Sequence, residues 1–487
     1  MRRPPGSAQI PCNGRPDLPT QRVDHDVWTS EPRGTIASHP LYSPHLWSLI
    51  SGLRHPGRRS KKQSMRILLV GGTGLIGSAI YARLSAERHE CVLVSRHPPT
   101  ASDRHHITLD LARTDISEWK GVLAGVDAVI NAAGALQGQD MQGVHVAGSA
   151  ALYAACESAG VRRVILFSAI GSNVDALSDF SRTKREGEAA LMARELDWVV
   201  LRPSVVVGRP AYGGSALLRG LAALPVLPVM PGTAAIQPVH LDDVVETVLF
   251  FLQPGAPSRV ALDLAGPRRI AFSDAVALFR AWLRWRPACR LHLPSWLASA
   301  AYRAGDVAQM LGWRTPINAT AQAEMRRGAT GDPGPWRQVT GVAPRDLEAA
   351  LAREPASVQE RWFARLYALK PLIFVVFGAF WIATGIISLS AGWDIGMSLL
   401  REGGLQENVA ALTVTAGALA DLAIGCAILY RPLSRYGLWA ALIISLTYAV
   451  IGTALVPRLW ADPLGPMLKI WPVIMLNLVA MAIREDR

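Results

Sequence analysis

From Met65 onward the apolar positions alternate between two periods. MRILLVGG is a short apolar run that stops at glycines, which predicts a buried strand, and LIGSAIYARLSAER after it carries helical spacing. CVLVSR predicts a second strand. VDAVINAAG predicts another, with a helix behind it running to about residue 159. RRVILFSAIGS reads as strand and turn, TKREGEAALMARE as helix, and WVVLRPSVVVG as extended chain again. Strands separated by helical crossovers pair in parallel and carry helices on both faces of the sheet. Their near-continuous apolar character fits central positions in such a sheet. LDDVVETVLFFL and FSDAVALFRAWL predict two amphipathic helices, after which proline and glycine become frequent without a clear repeat.

The pattern changes after Lys370. PLIFVVFGAFWIATGIISLS is uncharged over roughly twenty residues, the length that crosses a bilayer. Three more apolar stretches follow, at about 409–429, 436–456 and 466–483. Asp421 interrupts the first of these and Lys469 the last. Four such stretches in series predict membrane helices, against the alternative of four buried helices of a water-soluble domain. Arg361, Arg365 and Lys370 precede the first, Arg431 and Arg435 sit in the second loop, and Arg484 and Arg487 close the chain. The other two loops carry fewer basic residues. The positive-inside rule then predicts both termini on the cytoplasmic side of an inner (cytoplasmic) membrane. Trp362, Trp393, Trp460 and Trp471 lie near predicted segment ends, where indoles favour the interface or pack in the core. Asp421 is either a functional carboxylate facing the bundle interior or a residue near the interface.

Composition changes this picture little. The formal charge of +12 over 487 residues reflects a basic N-terminus and the arginines and lysines flanking the membrane segments. No block interleaves basic and aromatic residues, so no nucleic-acid partner is expected. Five cysteines stand at 12, 91, 156, 289 and 426. None pairs as C-x-x-C and no Cys/His cluster has zinc spacing, so no metal is expected. Residues 1–64 are rich in Pro, Arg, Ser and His and predict a basic, disordered extension. Met65 starts a strand directly and is a candidate initiator.

The chemistry begins at GGTGLIG, residues 71–77, which follows a strand and opens a helix. Gly72, Gly74 and Gly77 satisfy G-x-G-x-x-G, and Gly71, Gly74 and Gly77 satisfy G-x-x-G-x-x-G. Glycines permit the tight turn and let backbone approach a pyrophosphate, and the helix N-terminus then faces its negative charge. A purely structural glycine turn is the competing explanation. The next strand ends in Ser95-Arg96. NAD-selective sites carry Asp or Glu here for the ribose 2′-hydroxyl, whereas an arginine pairs with a 2′-phosphate. NADP is therefore the expected cofactor, with NAD less favoured; a plain surface arginine is the alternative.

GGTGLIG, Asp110-Leu111, NAAG at 131–134, SAIGS at 168–172, the FSRTK helix at 180–184 and LRPSVVVG at 201–208 together resemble an atypical or extended short-chain dehydrogenase/reductase. The run from LRPS to IQPVHLDDVV is similar to the branch that includes the accessory NADPH-binding subunit of respiratory complex I. The resemblance covers roughly residues 65–290, and the last four apolar segments resemble a DoxX-like membrane domain. It implies that Gly71, Gly72, Thr73, Gly74, Leu75, Ile76 and Gly77 form the phosphate loop and that Arg96 meets the 2′-phosphate. Asp110 and Leu111 would border the adenine, and Ala132, Ala133 and Gly134 the cofactor's inner edge. Ser168 matches the active-site serine and Lys184 the lysine that hydrogen-bonds the nicotinamide ribose; Pro203, Ser204 and Val205 would pass near the nicotinamide.

Phe180 departs from the family pattern, which has a tyrosine four residues before the lysine. That hydroxyl handles the proton accompanying hydride transfer, commonly worth about 10²–10⁴-fold. Ser181, Tyr212 and His240 are the nearest substitutes by sequence, each also explicable by packing or surface polarity. The expected fold is α/β, a Rossmann-like doubly wound parallel sheet with a C-terminal four-helix transmembrane domain. Its expected parts are an extension (1–64), an NAD(P)-binding domain (65–290), a small mixed extension (291–360) and the membrane domain (361–487). The expected function is that of a membrane-tethered NADP(H)-binding oxidoreductase-like protein with weakened or altered catalysis. The alternative is a non-catalytic assembly or redox-sensing protein. Expected partners are the lipid bilayer and a membrane redox partner or quinone.

Overall fold

The computed structural model describes residues 64–96, 105–135, 140–172 and 178–484. The expectation of disorder for residues 1–64 therefore lies, but for Ser64, outside the described residues.

Among the described residues eleven strands follow in order: β1 (Arg66–Val70), β2 (Glu90–Ser95), β3 (His106–Thr108), β4 (Ala128–Asn131), β5 (Arg163–Phe167), β6 (Asp197–Pro203), β7 (Val206–Val207), β8 (Val226–Val229), β9 (Val239–His240), β10 (Val260–Leu264) and β11 (Cys289–His292). Seven of them form one sheet in the order β10-β6-β5-β4-β1-β2-β3, and every neighbouring pair is parallel. β1 sits where the strand order reverses, so the crevice for a ligand opens at its carboxyl end. The sheet is buried on both faces because its strands alternate between two cores. Ile67 and Leu69 point to one core, with Ile80, Leu84, Val244, Val248 and Phe251 from helices Leu75–Ala86 and Leu241–Phe251. Leu68 and Val70 point to the other, with Trp119, Leu152, Cys156 and Leu191 from helices on the opposite side.

The segment after β11 returns to the sheet domain. Trp336 is fully buried against the first core, and its indole N–H donates to Thr247 Oγ1 at 2.9 Å. Residues 328–331 run past the carboxyl ends of the strands: the Ser204 hydroxyl donates to the Ala329 carbonyl at 2.7 Å, and the Gly331 N–H donates to Gln237 Oε1 at 2.9 Å.

Among the described residues, three helices are long and apolar enough to cross a membrane: Val358–Ser388, Glu407–Leu429 and Ser434–Leu455. The fourth apolar stretch forms the shorter helix Pro466–Ala482, and Trp393–Glu402 is an additional short helix between the first two spans. Val358–Ser388 has 31 residues, roughly 46 Å of helix against a hydrocarbon core of about 30 Å. Its first turns extend beyond the core and pack on the sheet domain: Arg361 Nε donates to the Leu283 carbonyl at 3.0 Å, and Tyr367 lies against Gly220. Higher up, a Cβ at Gly425 would stand 2.6 Å from the Gly378 carbonyl oxygen, so small residues set the close approach of the first two spans. At one end of the bundle, Lys370 and Arg431 both donate to the Arg484 carbonyl. At the other end, arginines pair with glutamates, Arg401 with Glu407 and Arg458 with Glu402.

Candidate functional site

The glycine loop is dictated by space. Gly71 has φ +79°, and a Cβ there would lie 2.7 Å from the Ala133 nitrogen. A Cβ at Gly77 would lie 2.3 Å from the Gly71 carbonyl oxygen. The first and last glycines are thus required by backbone approaching backbone. Gly72 meets only the side chains of Leu93 and Leu69, and Gly74 has 3.4 Å of clearance to the Gly71 oxygen. Gly74 caps helix Leu75–Ala86 in extended conformation with no side-chain capping hydrogen bond among the described residues, and no acidic residue lies in the first turn. Free amides and the helix dipole at this turn suit a diphosphate.

The remaining expected cofactor residues converge on the same edge. Arg96 follows β2 and is exposed; its Nη1 lies 3.5 Å from Asp140 Oδ2, a solvent-facing pair. Asp110 caps a short helical turn by accepting from the Ala112 N–H, and Leu111 beside it is buried. Ala132, Ala133 and Gly134 follow β4, where Asn131 Oδ1 accepts from the Ala133 N–H at 3.1 Å. Pro203 ends β6; Ser204 is buried, and the Val205 carbonyl accepts from Val239.

The other end of this edge centres on Lys184. Its ammonium donates to the Phe167 carbonyl at 3.0 Å and to the Ala133 carbonyl at 3.3 Å, bridging the ends of β5 and β4. A Cβ at Gly134 would stand 3.5 Å from Nζ. Burial pushes the ammonium down to about 8, partly offset by Glu188. Ser168, the residue after β5, is buried and its Oγ has no hydrogen-bond partner, a donor left over for a ligand. Phe180 lies one turn before Lys184, its ring meeting the His145 ring edge-on at 5.6 Å.

None of the substitute proton donors gains support. The Ser181 hydroxyl donates to Glu324 Oε1 at 2.8 Å and receives Arg327 Nη1 at 2.6 Å, so it faces helix Ala319–Arg327. His240 is buried, with Nδ1 accepting from the Asp242 N–H at 3.3 Å and lying 3.2 Å from Arg345. Tyr212 is half exposed at the start of helix Gly213–Ala222. His240, Asp242 and Glu354 do bring ligand atoms within 4.8 Å of one another. Arg345, however, places its guanidinium on Asp242 and against His240, supplying the positive charge a cation would bring.

The supporting residues were not foreseen. His145 Nε2 accepts from the Ala135 N–H at 3.0 Å, which puts the ring proton on Nδ1, 2.8 Å from Thr183 Oγ1. Thr183 in turn donates to the Phe180 carbonyl at 3.0 Å. Burial first, and the Lys184 charge second, push His145 down to about 2, so it stays neutral and positions the Phe180 turn. Asn131 donates to Ser149 Oγ and Tyr153 Oη, locking the end of β4. Burial alone would raise the Glu188 carboxyl, but the hydrogen bonds from Arg202 and Ser172 outweigh it and hold it ionised beneath the site. The available signal was polar residues on apolar helical stripes: His145, Ser149, Leu152 and Cys156 share one face.

Residues 71–221 match the NAD(P)H-binding family model, and residues 378–478 match the DoxX-like family model. Ceramide reductase of Caulobacter vibrioides is 23% identical over 213 residues, covering 42% of this chain and 66% of its own. Subunit 9 of the NADH dehydrogenase [ubiquinone] 1 alpha subcomplex, mitochondrial, of Arabidopsis thaliana is 26% identical over 270 residues, covering 51% of this chain and 65% of its own. This chain therefore spans just under two-thirds of the length of either relative. Among solved structures, the Bordetella bronchiseptica enzyme WbmG in complex with NAD superposes with a TM-score of 0.50 at 17% identity, over 62% of this chain and 97% of its own. That likeness shows the fold.

Proposed function

Because the chain joins an NAD(P)-binding Rossmann domain of short-chain dehydrogenase/reductase type to a DoxX-like membrane domain, we propose that it is a membrane-tethered NADP(H)-binding oxidoreductase whose catalysis lacks the usual tyrosine. The observation that carries this is the arrangement at helix Asp179–Met192. Lys184 is buried and anchored at the nucleotide edge, while Phe180 one turn earlier offers no proton. Gly71 to Gly77 hold the diphosphate. Arg96 supports NADP(H) over NAD(H), since it stands where an NAD-selective site carries a carboxylate. Its present partner Asp140 is exposed and readily displaced by a 2′-phosphate, since exposed pairs are worth at most about 1 kcal/mol. Asp110, Leu111, Ala132, Ala133 and Gly134 border the adenosine and inner edge; Pro203, Ser204 and Val205 border the nicotinamide.

Gly71 to Gly77, Arg96 and Lys184 would hold a nicotinamide nucleotide, which would supply hydride there, and a membrane-borne quinone or redox partner as acceptor would draw its proton from solvent without a protein acid. The domain is multi-pass in an inner membrane, with the nucleotide domain on the cytoplasmic side. Lys370, Arg431 and Arg484 meeting at the bundle end nearest that domain support the orientation. Calorimetric titration of the full chain in lipid nanodiscs with NADPH and NADH tests the reading. Tight NADPH binding is expected, and no affinity for either nucleotide would sink it.

A second reading, a non-catalytic NADP(H)-binding assembly or redox-sensing protein acting through its membrane helices, is favoured by Phe180 together with the commitment of Ser181 to Glu324 and Arg327. Steady NADPH oxidation in the presence of decylubiquinone or another acceptor would remove it.

A further inference from the structure

Helix Ser295–Met310 is built the wrong way round for a helix in water. Its inner face buries Ala298, Tyr302 and Gly305. A Cβ at Gly305 would clash with the Ile317 carbonyl, and Asp306 accepts from the Ala319 N–H at 3.0 Å, so this face is pinned to the chain that follows. The outer face carries Trp296, Ala300, Arg303, Val307 and Met310 at spacings of four, three, four and three residues, one continuous stripe. Trp296 is 71% exposed, Val307 57% and Met310 83%, with Leu297 and Leu311 also exposed beside them. Arg303 is the single charge on that stripe. Unpartnered apolar stripes of this kind mark an interaction surface.

What covers the stripe follows from where the helix ends. The next three residues dock on the basic end of the membrane bundle. The Arg431 N–H donates to the Leu311 carbonyl at 2.9 Å, and the Trp313 indole donates to the Leu429 carbonyl at 2.6 Å. Trp313 packs on Phe374 at 4.6 Å between ring centroids, under the Arg431 guanidinium. Leu429 is the last residue of a membrane span, so the C-terminus of the helix sits at the level where that span ends. Exposed Tyr430 and Leu433 continue the apolar surface from Leu311 onto the spans. A face that is apolar, carries one arginine and is continuous with the lipid-facing surface suits the headgroup–acyl boundary, where an arginine reaches outward to phosphates.

We propose that helix Ser295–Met310 lies in the membrane interface, its outer stripe seated in lipid. The bilayer thereby holds the nucleotide domain directly, in addition to the spans. Helix Ala319–Arg327 then links this lipid contact to the site, since Arg327 donates to the Ile170 carbonyl and to Ser181 beside Lys184. The inference depends on the membrane reading of the spans, and not on any redox activity.

The test uses the full chain in nanodiscs of phosphatidylcholine and phosphatidylglycerol, with Cys12→Ser, Cys289→Ser and Cys426→Ala. A polarity-sensitive fluorophore is attached at Met310→Cys, and nitroxides are placed at known acyl depths. Glu195→Cys, on an exposed side chain, gives the water reference, and Leu372→Cys, exposed on the first span, gives the lipid reference. Expected is blue-shifted emission at 310 with quenching by shallow nitroxides several times stronger than at 195. Emission at 310 matching that at 195 overturns the proposal alone, because 372 still reports lipid. A blue shift at 310 without nitroxide quenching also overturns it, and assigns the stripe to a second copy of the chain. Absence of quenching at 372 overturns it together with the membrane reading. Trp296→Gln/Met310→Gln, with the label moved to Val307→Cys, is expected to lower the quenching while leaving the chain in the disc.

Discussion

The two ends of the candidate site share one sheet edge and obey different constraints. At the phosphate end backbone touches backbone: Gly71 against Ala132 and Ala133, and Gly77 against Gly71. No side chain other than hydrogen fits, so the residue type is dictated by space. At the other end the contacts are made by side chains. Lys184 spans two strand ends while the residue one turn before it is Phe180, held by His145 and Thr183 without any role for a hydroxyl. Under the proposed function, holding a nucleotide and converting it are therefore separable demands, and only the first rests on backbone packing.

The largest expected effect breaks the phosphate end. Gly77→Ala forces the loop apart, since its Cβ falls 2.3 Å from a carbonyl oxygen. NADPH affinity is expected to drop by about 100-fold or more, the scale of a misplaced binding group. Gly72→Ala meets side chains rather than backbone, the end of Leu93 at 2.5 Å and Leu69 at 3.5 Å, and is expected to bind within about tenfold of the parent. Calorimetry on the pair reads the contrast, and equal losses would break it.

Arg96→Ala comes next. Losing one charge-assisted hydrogen bond to a 2′-phosphate costs about 1.5–3 kcal/mol, or roughly ten- to a hundredfold in NADPH affinity. NADH titration of the same variant is expected to be unchanged; parallel losses for both nucleotides would show that Arg96 does not read the phosphate.

The smallest effect is on stability. His145 is held neutral by burial, with its pKa lowered from an ordinary value near 6.5 to about 2. Below pH 6.5 the unfolded chain takes up a proton that the folded chain refuses, so stability is present above that pH and is lost as pH falls, by roughly 1.4 kcal/mol per unit. Thermal melts between pH 7 and 5 are expected to show this slope, and His145→Gln to flatten it; identical slopes would remove His145 from the account.

Much of this was legible in the sequence. Apolar runs ending at glycines mark strands feeding a turn, and the parallel sheet follows from them, whereas the place of GGTGLIG at the switch point emerges only from the strand order of the structure. The first three spans were readable because uncharged runs of bilayer length have few other uses. The fourth stretch, expected at 466–483, forms a helix over Pro466–Ala482, whose 17 residues fall short of the other three. What stayed hidden depends on contacts distant in sequence. Ser181 is one residue from Phe180, yet it bonds to Glu324 and Arg327, more than 140 residues away. His145 shows no local pattern that separates a ring-positioning residue from an ordinary core histidine. The interface helix was likewise hidden, because its amphipathic pattern becomes unusual only when its apolar side is found facing outward.

The most direct test places Phe180→Tyr beside the parent chain, in the same nanodiscs, measuring the NADPH dissociation constant and the rate of NADPH-dependent ketone reduction. The account predicts equal dissociation constants and a rate gain toward the range of about 10²–10⁴ that a positioned general acid supplies. Weakened NADPH binding, or an unchanged rate with tight binding retained, would contradict the claim that this chain holds the nucleotide but lacks the proton donor.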